Sequence, residues 1–167
     1  MAELTNRERL QPSLLDRLTD EAPWEPSESR DRRIISAARL RECVTRDISW
    51  LLNCTSHWSE EALEGNEHVH GSVLNYGIPD LAGMALTGID AGELEQRIRQ
   101  AILHFEPRLT GGTLSVHVGV DTQRMDNRAL TFDIQSQMWA QPMPLNLYLK
   151  TELDLDTGEF RVGEQVG

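Results

Sequence analysis

The chain has 167 residues, of which 39% are hydrophobic and 26% charged, and its formal net charge is −11. That length accommodates one ordinary domain with a real core plus a tail. The acidity argues against a nucleic-acid or anionic-membrane binder, which needs a basic face, and no apolar run approaches the length of a membrane span.

Residues 1–33 read as an arm followed by a linker. Pro12 suits a first helical turn, and Leu14, Leu15 and Leu18 make one apolar edge. The segment 19–33 (TDEAPWEPSESRDRR) has the composition of a flexible linker, being rich in acids, arginines and prolines around a lone Trp24. Two readings stand for the first helix: a detachable arm that docks on a partner, or a helix packed back on its own domain. The N-terminus lacks a charged-then-apolar signal pattern, so export by that route is not expected.

The domain is expected over 34–167. Residues 34–53 predict the longest helix, with Ile34, Ile35, Ala38, Leu40, Val44, Ile48, Leu51 and Leu52 on a broad apolar face. Arg39, Arg41, Glu42, Arg46 and Asp47 spread over the rest, and Trp50 is expected in the core or between helix and sheet. Cys43 and Cys54 on one helix would lie roughly 16 Å apart at about 1.5 Å per residue, too far for a disulfide, so both are expected as thiols in a reducing compartment. The acidic stretch from about 55 to 71 gives no regular pattern, and Ser72–Tyr76 reads as a short strand or turn.

A second helix is signalled at Asp90. Its carboxylate can accept from the first-turn N–H groups, with Glu93 in the capping-box position. Leu94, Ile98, Ala101, Ile102 and Phe105 then form one stripe, with Glu95, Gln96, Arg99 and Gln100 on the wet side. The helix runs into Glu106-Pro107-Arg108, where proline forces it to stop. Glu106 and Arg108 thus flank a rigid corner, either as a helix-end salt bridge, worth little if exposed, or as an interface pair.

After Gly111-Gly112 the period switches to two. Leu114–Val120 and Leu130–Met138 alternate and predict an antiparallel pair closed by the eight residues DTQRMDNR (121–128). Leu145, Leu147, Leu149, Leu153 and Leu155 alternate most cleanly. Asp156-Thr157-Gly158 is a turn, and Glu159–Val162 can return as a short strand. The expected fold is α+β with two layers: an antiparallel or mixed sheet of about three to five strands on two long helices, plus the N-terminal helical arm.

Chemistry-bearing patterns are sparse. His68 and His70 could alternate on a strand toward a metal, with His57 not far off, but no third ligand falls at a sensible spacing. Glu106 has a distinctive setting for an acid catalyst, yet nothing supplies its paired carboxylate. No nucleophile elbow, phosphate loop or zinc spacing is present. No catalytic residue, metal or cofactor is expected.

Five stretches carry a resemblance: RLQPSLLDRLTD (9–20), ARLRECVTRDISWLLN (38–53), SVLNYGIPDLAG (72–83), FEPRL (105–109) and MWAQPMPLNLYLKTELDLDTGEF (138–160). In this order they resemble the TssE family of type VI secretion baseplate subunits, which is similar to the wedge family of contractile phage tails. The resemblance implies a cytoplasmic, non-enzymatic assembly protein. It implies docking of Glu106, Pro107 and Arg108 on the wedge subunits TssF and TssG, with TssK as a further partner. It also implies templating of the sheath subunits TssB and TssC. The long alternating strand, with Leu147, Leu149, Thr151 and Leu153, is the expected edge for strand addition by sheath. No nucleic-acid contact or membrane insertion is implied. A lysozyme-like muramidase and a regulatory anti-adaptor are the alternative readings.

Overall fold

The alternating leucines near the C-terminus become one of the two longest strands of a four-stranded antiparallel sheet. The structure is a computed structural model and describes residues 13–19, 23–24, 36–56, 64–83, 90–120, 129–140 and 144–164. The elements in order are α1 (Leu14–Leu18), α2 (Ala37–Leu52), the single turn α3 (Glu67–His70), α4 (Ala91–Phe105), β1 (Ser115–Val120), β2 (Ala129–Met138), β3 (Leu145–Asp154) and β4 (Phe160–Glu164). The strands lie in sequence order. Register pairs Val116 with Ile134, Ile134 with Leu149, and Leu153 with Phe160, so the apolar residues of all four strands share one face.

That face is the floor of the core. Leu130, Phe132, Ile134, Met138, Leu147, Leu149 and Leu153 rise from it, and Val44, Ile48 and Leu51 of α2 and Leu94, Ile98 and Ile102 of α4 close over them in one cluster. Each such side chain taken out of water contributes about 1.5–3 kcal/mol. Asp133, Gln135, Tyr148 and Lys150 point from the opposite face to solvent. The helices are cut as their ends dictate. Ser36 caps α2 by accepting from Arg39 N–H, and Asp90 caps α4 by accepting from Gly92 and Glu93 N–H. Glu93 does not complete a capping box; its carboxylate pairs with Arg97 one turn on.

The two helices also hold the sheet's edges. On the β1 side, Glu95 of α4 accepts the Val118 N–H at 2.7 Å and Arg99 donates to the Leu114 carbonyl at 3.2 Å. On the β4 side, Asn53 ends α2 with its amide set as a strand partner. It accepts the Phe160 N–H and donates to the Phe160 carbonyl, both at 2.9 Å. A parallel bridge between Thr55 and Ile78 ties the α2 exit to the segment before α4. It forces the backbone so close that a Cβ on Gly77, at φ +122°, would sit 2.3 Å from the Cys54 carbonyl oxygen.

Several expectations change. The alternating strand β3 is not an edge: β2 pairs along one side and β4 along the other, and Leu147, Leu149, Thr151 and Leu153 are buried in the core. His68 and His70 lie on the turn of α3, not alternating on a strand, and among the described residues no group could hold a metal ion. Val73–Asn75 is a 3-10 turn. Trp50 is half exposed instead of core. Most of the expected linker 19–33, His57 and the loop 121–128 lie outside the described residues.

The Asn53 amide is the clamp between α2 and β4, so Asn53→Ala is expected to lower stability by about 1–3 kcal/mol, because it orphans two backbone groups. Urea unfolding measures it; a loss within about 0.5 kcal/mol, as at an ordinary surface site, would show that the clamp is dispensable.

Candidate functional site

The site grows from the end of α4. Glu106 is the C-cap residue; its N–H still bonds the Ile102 carbonyl at 2.8 Å, but its φ and ψ (−121°, 79°) have left the helix. Pro107 follows and cannot continue the ladder. The chain therefore turns, and Arg108 folds back on Glu106. Its backbone N–H donates to Glu106 Oε1 at 3.1 Å, its Nε to the same oxygen at 2.6 Å, and its Nη2 to Oε2 at 2.5 Å. This is a two-pronged guanidinium–carboxylate pair, the strong form of the ion pair. The corner is bolted to the sheet by main-chain bonds, with Trp139 N–H to the Arg108 carbonyl and Thr110 N–H to the Gln137 carbonyl, both 2.8 Å.

The pair faces inward. Glu106 is 4% exposed and the Arg108 side chain 21%; Pro107 between them is the exposed member of the motif. Arg108 reaches on to α2, where Nη2 lies 2.5 Å from Asp47 Oδ2. Asp47 Oδ1 accepts from Arg46 Nη2 at 2.7 Å, and the same nitrogen lies 2.8 Å from Asp16 Oδ1 of α1. Asp16 Oδ2 stands 3.9 Å from Arg108 Nη1 and closes the ring. Three carboxylates and two guanidinium groups thus join α1, α2 and the end of α4. The guanidinium of Arg46 also lies over the Trp50 ring, 4.9 Å from its centroid.

The pairing shifts three members of the ring toward their charged forms. Burial acts to lower the Arg108 pKa, but hydrogen bonds to Glu106 and Asp47 and their charges raise it well above the usual arginine value. Arg46 is raised likewise, by Asp47 and Asp16 against burial. For Asp16, burial acts upward and is outweighed by hydrogen bonds from Ser13, Arg46 and Cys43 and by the Arg46 charge, which bring its pKa down to about 2. Ser13 aims this carboxylate through a capping box: its Oγ donates to Asp16 Oδ2 at 2.6 Å, and Asp16 N–H bonds back to Oγ.

The arrangement is an ion-pair network in which Glu106 is not placed as a general acid. A general acid needs a proton to give and a path to its substrate. Both oxygens of Glu106 are committed to Arg108, and the group is buried. The sequence points to Glu106, Pro107 and Arg108 and misses Asp16, Arg46 and Asp47. Arg46 and Asp47 read as wet-side helix charges, and Asp16 lies inside a matched stretch with no signal of its own. Adjacent Arg-Asp on the other long helix, α2, is the one pattern that hints at a network shared with the corner.

Residues 38–143 match the family described as baseplate wedge protein gp25. No curated protein matches the chain. Among solved structures, a protein described as a tail lysozyme from Geobacter sulfurreducens aligns with a TM-score of 0.43 and 18% sequence identity, covering 70% of this chain and 92% of that one.

Removing Arg108 leaves Glu106 as a buried charge without its cation and takes one of the two guanidinium partners of the partly buried Asp47. Arg108→Ala is expected to cost about 3–5 kcal/mol in denaturant unfolding, and a cost below about 1 kcal/mol would place the pair among solvated surface bridges. The pH dependence has a definite sign. Asp16 has a folded pKa of about 2, below its unfolded value, so its pairing stabilises fully above that unfolded value of about 3.9 and is lost as pH falls toward 2. The stability difference between wild type and Asp16→Asn should therefore be constant from pH 7 to about 5 and shrink toward zero near pH 2. A difference that persists unchanged at pH 2 would assign the effect to something other than the carboxylate.

Proposed function

The chain belongs to the baseplate wedge protein gp25 family, and we propose on that basis that it is a structural subunit of a contractile, phage-tail-like baseplate, of the TssE type found in type VI secretion systems. The observation that carries the reading is the match over residues 38–143, which spans α2, α4, the Glu-Pro-Arg corner and the first two strands. In this reading the protein works in the cytoplasm and has no catalytic role.

The wedge subunits TssF and TssG dock at the corner, with TssK as a further neighbour. What supports this is the rigidity of the corner. Its turn is fixed by proline, by a two-pronged ion pair and by two main-chain bonds to the sheet. Little conformational entropy remains to be lost when a partner binds it. Pro107 and Trp139 lie on the exposed side, and tryptophan is over-represented among residues that dominate binding energy. Glu106 and Arg108 then act as the internal frame that presents Pro107.

Templating of sheath subunits TssB and TssC uses strand addition at a sheet edge. The expected strand, β3, is interior, so the proposal moves to β4. Asn53 takes the outward groups of Phe160, and alternation along an antiparallel strand turns the N–H and C=O of Val162 and Glu164 to the same outer side. On β1, Glu95 and Arg99 already occupy outward groups.

Co-purification with the TssF and TssG proteins of the same genome tests the docking. Wild type is expected to be retained, while Pro107→Asp, which leaves the ion-pair network intact, is expected to be lost although equally folded by circular dichroism. Retention of both would keep the baseplate assignment and move the docking point off the corner. Loss of both would remove the wedge reading.

A further inference from the structure

The ring of charges has a place that its present occupant fills imperfectly. Arg108 Nη1 is buried and has no hydrogen-bond partner among the described residues, although its other nitrogens are fully used. The nearest acid is Asp16, whose Oδ2 stands 3.9 Å away, within ion-pair range but well beyond the roughly 2.7–2.9 Å of a charge-assisted hydrogen bond. Without Asp16, Arg46 and Arg108 face Asp47 and Glu106, two charges against two. Asp16 is the fifth charge, and it comes from the arm.

The arm itself is held weakly. α1 has five residues and buries none of them; Leu14 and Leu18 are 70% and 73% exposed. A helix that short has no stability of its own in water. Yet the Asp16 side chain is only 8% exposed and lies 2.8 Å from Arg46. The described attachment of the arm to the domain is thus one carboxylate in a two-arginine seat. The rim of that seat is aromatic: Trp50, half exposed, lies under Arg46, and Trp139, 58% exposed, leaves the sheet at the main-chain bond to Arg108. Exposed tryptophans beside arginines are the composition of an interface hot spot.

We propose that the Arg46–Arg108 seat is a receptor for a carboxylate on an acidic segment of a neighbouring baseplate protein, and that Asp16 is an internal stand-in displaced when that partner docks. The proposal rests on the baseplate reading for the identity of the partner but not for the seat. Charge complementarity selects the ligand. A carboxylate free of the arm's tether can face Arg46 as Asp16 does and close the 3.9 Å gap to Nη1 that Asp16 leaves. The tethered arm competes at the high effective concentration of an intramolecular ligand, so it sets a threshold that weak acidic contacts do not pass.

The test uses the full-length chain and a synthetic peptide of residues 9–20 (RLQPSLLDRLTD) as the carboxylate probe, followed by tryptophan fluorescence. Asp16→Asn protein is expected to bind the peptide at least about tenfold more tightly than wild type, because its own arm no longer competes. The peptide carrying Asp16→Asn, or protein carrying Asp16→Asn with Arg46→Gln, should bind neither. Equal binding by wild type and Asp16→Asn, or binding indifferent to Arg46→Gln, would overturn the proposal. Retention of TssF and TssG by Asp16→Asn is read beside it. Stronger retention than wild type supports displacement by the wedge, and weaker retention overturns the stand-in role by making the arm part of the interface. If the peptide discriminates but neither protein retains the wedge, the carboxylate receptor stands and the baseplate reading fails.

Discussion

The bond between Arg108 and its two acids is the constraint on which the rest depends. Glu106 ends one helix and Asp47 lies on the other, and the one guanidinium group binds both at 2.5 Å. A buried carboxylate beside a proline corner has no water to solvate it, and its desolvation is tolerable only when a cation with matched geometry lies against it. Arginine meets that condition because its fork supplies donors in two directions at once. The crossing of α2 and α4 is therefore fixed at one point by charge and elsewhere by the packing of Val44, Ile48, Ile98 and Ile102.

From that point order spreads into the sheet. Arg108 passes its carbonyl to Trp139 and Thr110 takes the carbonyl of Gln137, so the corner is the first rung of the ladder that β1 and β2 continue. The helices return the support. Their polar side chains occupy outward groups on β1 and β4, which shortens the exposed edges and limits uncontrolled pairing with other chains.

The same network joins three segments of the chain. Glu106, Asp47 and Arg108 join the two long helices, while Asp16 and Arg46 join the arm to α2 beside the half-exposed Trp50. A partner that engages Asp16 or Arg46 acts on groups already polarised by the other three, since hydrogen bonds in a shared low-dielectric network reinforce one another. Within the motif, Glu106 and Arg108 face inward to the network and Pro107 is exposed.

The sequence by itself determined the local structure. The stripe from Leu94 to Phe105, the Asp90 cap, the stop at Pro107 and the leucine alternation of 145–155 each depend on residues within a turn or two, and helical and strand periods are local properties. The α+β layering and the family are legible for the same reason. What only the tertiary structure decided is which charges meet and which strand is central. Asp47 and Arg108 are 61 residues apart, and an aspartate on the wet side of a helix has the same pattern whether water or a guanidinium group solvates it. Alternation tells which face of β3 is buried, but not whether another strand lies on either side of it, because face and neighbour are perpendicular directions in a sheet.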